Sequence, residues 1–154
     1  DLGNVLLRFR PDRLIIDMYK DEKIRDAIME AVFRAPEWQM LDRGTIDIED
    51  ATVAFVNRSP RHEKEIRAVM EVWTKALTPI DPHVRLLEDL KRKGMHCYIL
   101  SNFHKEAFEE QQALHSFFSS FDGGVVSAYV QLLKPERDIG QDPGHTWDSG
   151  ERRH

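Results

Sequence analysis

The hydrophobic period of this chain changes once, near residue 79, and that change constrains the fold more than any other feature. From Pro11 to about Thr78 apolar residues recur at helical spacing. Leu14, Ile15, Met18 and Tyr19 form one stripe after a proline suited to a first helical turn. Ile24, Ala27, Ile28, Ala31 and Val32 form a second. Gly44 breaks the chain, and Thr45 or Asp47 can cap a third helix carrying Ile48, Ala51, Val53, Ala54 and Phe55. Ser59-Pro60 starts a fourth, with Ile66, Val69, Met70 and Trp73.

Beyond residue 79 helices alternate with short apolar runs. Asp81-Pro82 caps a helix with Val84, Leu87 and Leu90 on one face, and Gly94 ends it. His96-Cys97-Tyr98-Ile99-Leu100 reads as a strand, Lys105 to Leu114 as a polar helix and Gly123 to Ser127 as another strand. Asp1 to Leu7 reads as the end of a buried strand and its exit turn, so the strand body is expected to lie before Asp1. Strands separated by helices imply parallel pairing with right-handed crossovers. The expected fold is therefore α/β: a Rossmann-like parallel sheet over 1–10 and 79–139, truncated, with an all-helical cap over 11–78. Residues 140–154 have no apolar period, are rich in breakers, and form an irregular tail.

At 154 residues the chain suits one domain, or a small domain with an insert. A net charge of -5 disfavours nucleic acid or an anionic membrane as partner. No apolar run approaches the roughly 20 residues that span a bilayer. The single cysteine excludes an internal disulfide framework and fits a reducing cytoplasm; Cys97 reads as a buried thiol rather than a nucleophile.

The chemistry-bearing residues fall at strand ends. Asp1-Leu2-Gly3-Asn4-Val5 opens the chain, Ser101-Asn102 closes the run His96–Leu100, and Lys134-Pro135-Glu136 follows the last strand. In open parallel sheets ligands bind at the carboxyl ends of strands. A carboxylate there can attack phosphorus, provided that cations and hydrogen-bond donors neutralise the repulsion between two anions.

In this order the residues resemble the haloacid dehalogenase-like hydrolases, subfamily IA with a helical cap, and in particular the phosphatase branch that opens Asp-Leu-Gly-Asn-Val. The resemblance runs from Asp1 to about Ile139. It implies Asp1 as nucleophile and magnesium ligand, with the Gly3 backbone carbonyl as a second ligand. It implies Ser101 as a phosphate ligand with Asn102 beside it, and Lys134 steadying nucleophile and transferring group. The activity implied is magnesium-dependent hydrolysis of a small phosphorylated metabolite, a sugar phosphate on that resemblance, through an aspartyl-phosphate.

Two departures bear on that activity. Many phosphatases of the superfamily carry a second Asp two residues after the nucleophile as general acid and base. Gly3 stands there, as it does in the matching branch, which leaves proton transfer unassigned. Dehalogenases also lack that Asp, so carbon–halogen cleavage is an alternative. The family also places a strand ending in paired, magnesium-holding Asp residues after Lys134. Residues 140–154 resemble instead an out-of-frame reading, and neither Asp142 nor Asp148 suits that role. The chain as written is accordingly expected to be impaired. Further alternatives are a non-catalytic fragment with a helical interaction domain, or that domain standing alone.

Other residues have blander readings. His83, His96, His104, His115 and His145 lack zinc-ligand spacing. His104, near Asn102, lines the site on one reading; a capping or surface role is favoured. Trp38, Trp73, Met18, Met29, Met40 and Met70 read as core, with a substrate-lining role as the alternative. Lys91-Arg92-Lys93 complements a helix C-terminus, with a phosphate-docking patch as the alternative, and Arg8 and Arg10 read as surface arginines, with contact to a substrate anion as the alternative.

Overall fold

Proline and glycine punctuate the helices where the sequence places them. The structure, a computed structural model, describes residues 1–139. Helix α1 (Pro11–Met18) starts on its proline. Helix α2 (Glu22–Ile28) is capped by Asp21, whose Oδ1 accepts from the Lys23 N–H at 2.8 Å, and continues as a π-helical turn over Met29–Phe33. Helix α4 (Ile48–Arg58) is capped by Asp47, which accepts from the Asp50 N–H at 2.8 Å; Thr45 has no such role. Helix α5 (Glu63–Val72) follows a 3-10 turn at Pro60–His62.

The segment holds five α-helices, not four. Helix α3 (Pro36–Arg43) is the one the periodicity misses, because its eight residues carry too few apolar positions to establish a period. Its ends obey the usual chemistry. Pro36 opens it, and Gly44 closes it in a left-handed conformation, φ 76°, with the Thr45 N–H bonded to the Met40 carbonyl.

Two small sheets complete a mixed α/β chain that is mostly helical. Strand β1 (Leu7–Arg8) pairs antiparallel with β2 (Thr78–Pro79), so the helical excursion leaves and returns through adjacent residues. Helix α6 (Asp81–Arg92) leads to β3 (Tyr98–Ser101), helix α7 (Lys105–Leu114) crosses over, and β4 (Gly123–Val126) pairs parallel with β3. Helix α8 (Ser127–Val130) follows directly. Asp81 occupies the first turn of α6 without a side-chain cap bond, and Ile80 holds the N-cap position.

The expected first parallel strand is not among the described ladders. Asp1 and Leu2 reach the end of β3 through the Ser101 side chain. β3 has an alternating pattern, with Ile99 and Ser101 buried and Tyr98 and Leu100 exposed. Cys97 is half-buried rather than buried. Its N–H donates to Asp122 Oδ2 at 2.8 Å, and Lys91 pairs with the same carboxylate, which gives that lysine a structural use.

One apolar core joins the helical segment to the sheet. Trp73, Met70, Ile66 and Val69 of the segment are buried with Leu2, Leu7, Ile99, Phe103 and Phe108, whereas Met40 is exposed against expectation. Among the described residues no helix is long and apolar enough to cross a membrane.

The tightest junction is between α3 and α8. A Cβ on Gly44 would lie 2.9 Å from the Ala128 carbonyl carbon and closer still to its oxygen. Gly44→Ala is expected to cost about 3 kcal/mol, from backbone collision and an unfavourable left-handed φ together. A denaturant midpoint within about 0.5 kcal/mol of the unsubstituted chain would mean that this close approach is relaxed in solution.

Candidate active site

Three segments far apart in sequence meet at the Asp1 carboxylate. Its Oδ1 accepts from the Leu2 N–H at 2.8 Å and from Ser101 Oγ at 2.7 Å. Its Oδ2 accepts from Lys134 Nζ at 2.8 Å. Lys134 Nζ also donates to the Leu100 carbonyl at 3.1 Å, and the Lys134 N–H donates to Asn102 Oδ1 at 2.9 Å. The four polar residues singled out in the sequence thus form one hydrogen-bonded set at the C-terminal end of β3.

Local structure explains the convergence. The Asn4 N–H donates to the Leu7 carbonyl at 2.7 Å and Asn4 Oδ1 accepts from the Phe9 N–H at 2.9 Å, which turns the chain sharply after Gly3. Asn4 holds φ 55°, a left-handed conformation that asparagine tolerates better than most residues. The Lys134 loop is fixed by Glu136, whose Oε2 accepts from the Leu133 N–H at 2.8 Å. Arg43 at the end of α3 grips that same carboxylate with two N–H groups, at 2.6 and 3.1 Å. The helical segment therefore holds the loop that carries Lys134.

Electrostatics follow from partial burial. Ser101 is fully buried, while the Asp1 side chain stays 41% exposed and open to a ligand. Desolvation lowers the Lys134 pKa from its ordinary value.

Beside this set lies a pocket that the sequence did not disclose. Gly3 and Asn102 form its edge toward Asp1, and Phe9, Trp38, Trp73, Leu77, Phe103 and His104 form its wall, with Asp42. Trp73 is buried in the core and Trp38 half-buried against it, and both line this space. His104 is 2% exposed, so it lines the site instead of capping α7 or meeting solvent. Its ring lies 4.7 Å, centroid to centroid, from both Trp38 and Trp73. Its Nε2 is 3.3 Å from Asp42 Oδ1. Burial pushes the Asp42 carboxyl up to about 7 and the His104 imidazole down to about 3.

Phe9, Asp42, Leu77 and Phe103 are the pocket residues that sequence reasoning passed over. The one available signal for Asp42 was Asp42-Arg43-Gly44, an acid two residues before a helix-ending glycine, and that pattern is too common to mark a site. Arg10 is bonded to Asp12 on the surface through two contacts of 2.9 and 2.7 Å, and Arg8 is exposed; neither joins the site.

Among the described residues no three His, Cys, Asp or Glu side chains converge as a metal cage. The Asp1 carboxylate and the Gly3 carbonyl are nevertheless hard oxygen donors, and a Cβ on Gly3 would meet nothing within 4 Å, so space is open there. That donor set fits magnesium, which keeps several waters and needs few protein ligands. Asp142 and Asp148, with the rest of 140–154, lie outside the described residues.

The chain is similar to the sesquiterpene phosphatase astK of Aspergillus oryzae (strain ATCC 42149 / RIB 40), 26% identical over 139 residues that cover 90% of this chain and 67% of that protein. No family model matches the chain. No solved structure matches it.

Proposed function

We propose that this chain is a hydrolase of the haloacid dehalogenase-like type that cleaves a small phosphomonoester, with residues 11–78 acting as its cap over an α/β core of 1–10 and 79–139. The observation that carries the reading is the single hydrogen-bonded set of Asp1, Ser101, Asn102 and Lys134. The similarity to a protein named as a phosphatase favours phosphate over halide as the leaving chemistry.

On this reading the steps are as follows. Three donors orient the Asp1 carboxylate, one of whose oxygens forms a bond to phosphorus while the ester P–O bond breaks. Lys134 offsets the charge of the incoming phosphoryl group, and Ser101 and Asn102 flank its oxygens. Asp42, held half-protonated near neutral pH by burial, is the acid in the adjoining pocket that hands a proton to the leaving oxygen. Water then cleaves the aspartyl-phosphate, restoring Asp1 and releasing phosphate. Magnesium, held by Asp1 and the Gly3 carbonyl, supplies charge neutralisation when bound.

The test is phosphate release from a panel of phosphomonoesters with magnesium, beside halide release from a 2-haloacid without it. Metal-dependent phosphate release is expected, at a low rate, because the paired magnesium-holding Asp residues that the family places after Lys134 have no counterpart in 140–154 as written. Halide release alone would replace the reading with a dehalogenase, and neither product would leave the chain as written without catalysis.

A further inference from the structure

The pocket beside Asp1 is lined mainly by apolar and aromatic side chains. Its wall is Phe9, Trp38, Trp73, Leu77, Phe103 and His104, and the titratable residues lining it are Asp42 and His104. Among the described residues no lysine, arginine, serine or threonine lines it. A polyhydroxylated group would find partners at Asp42, Asn102 and His104 alone and leave its other hydroxyls facing aromatic carbon, at the cost of unmade hydrogen bonds.

The wall is also preformed. Trp73, Leu77, Phe103 and His104 are 3%, 4%, 7% and 2% exposed, so they are already packed in place without a ligand. Trp38 stacks parallel to Phe9 at 6.0 Å and meets Trp73 edge-on at 5.0 Å. Among the described residues, the Trp73 indole N–H finds no hydrogen-bond partner, and the nitrogens of the His104 ring make no hydrogen bond of ordinary geometry. Buried donors of this kind are normally matched, and an ester or hydroxyl oxygen entering the pocket would match one.

Position fixes what enters. Gly3 and Asn102 border both the pocket and the Asp1–Lys134 set, so an anion held at Lys134 projects its organic group against the aromatic wall. We propose that this pocket receives the organic part of a phosphate monoester of an apolar alcohol, anchored by its phosphate at Lys134 and by its hydrocarbon against Phe9, Trp38 and Trp73. The inference rests on the phosphomonoester reading above and names its substrate class.

Binding tests it without turnover. Methyl-, butyl- and octylphosphonate, which cannot be hydrolysed, are titrated into the full chain with magnesium chloride, below any micelle concentration. Tryptophan fluorescence reports, because Trp38 and Trp73 are in the wall. Octanol, with no anion, is titrated in parallel. Affinity should rise roughly threefold to fourfold per added methylene until the pocket fills. Lys134→Ala should weaken all three phosphonates by a similar factor, and Phe9→Ala should flatten the dependence on length while leaving methylphosphonate unchanged. A flat series in the unsubstituted chain overturns the apolar pocket and leaves the phosphate reading standing. Octanol binding without phosphonate binding overturns both, and so does the absence of any binding.

Discussion

Asp1→Asn is expected to abolish phosphate release, by roughly a thousandfold or more, while tightening the binding of inorganic phosphate. The first effect follows from the loss of the attacking group; removing a nucleophile leaves only the background from binding and charge stabilisation. The second follows from electrostatics. The Asp1 carboxylate is the anion nearest the proposed phosphate position, and it occupies Lys134 Nζ at 2.8 Å. An amide there removes the repulsion and frees the lysine. Lys134→Ala has the opposite sign in binding, since it deletes a charge-assisted contact worth about 1.5 to 3 kcal/mol, or about tenfold to a hundredfold in affinity. Calorimetric titration of phosphate into the three chains reads both directions even where turnover is low. If Asp1→Asn weakens phosphate as much as Lys134→Ala does, the carboxylate is a ligand-ordering group and not the nucleophile.

How much of this was legible beforehand depends on how far each feature depends on the chain's own neighbourhood. Helices α1, α4 and α6 were readable because a cap or a proline coincides with an apolar stripe, all within a dozen residues. The parallel pairing of β3 with β4 was readable from two short apolar runs flanking a helix. Helix α3 was not, since its stripe is too short, and neither was β2, a two-residue strand containing a proline. The polar set was legible as separate strand-end residues, because Asp, Ser-Asn and Lys carry their chemistry with them. The pocket was not legible. Phe9, Trp38, Trp73, Phe103 and Asp42 come from five different stretches, and each alone looks like an ordinary core or surface residue. His104 shows the same limit: nothing nearby in sequence indicates that two tryptophans from the helical segment will enclose it.

The enclosure of His104 with Asp42 leads to the largest stability effect expected here. In the folded chain Asp42 titrates near 7, above its ordinary 3.8, and His104 near 3, below its ordinary 6.5. Between about pH 4 and 6.5 the unfolded chain holds one proton on these two residues, on the histidine. The folded chain also holds one, on the aspartic acid. The numbers bound are equal, so the pair contributes no slope to stability in that window. Each single substitution unmasks the other residue. With Asp42→Asn, the unfolded state holds a proton on His104 that the folded state lacks, so stability rises with pH. With His104→Gln, the folded state holds a proton on Asp42 that the unfolded state lacks, so stability falls with pH from about 4 to 7. Each slope is about 1.4 kcal/mol per pH unit, and over the full window the swing reaches about 4 kcal/mol. Urea midpoints at pH 5.0, 5.75 and 6.5 on the three chains separate this pair from every other titrating group, because the rest contribute equally to all three. Opposite deviations from the unsubstituted chain are expected. Parallel curves would mean that solvent reaches the two side chains and that the pocket is open, which would also remove Asp42 as an acid poised near neutrality.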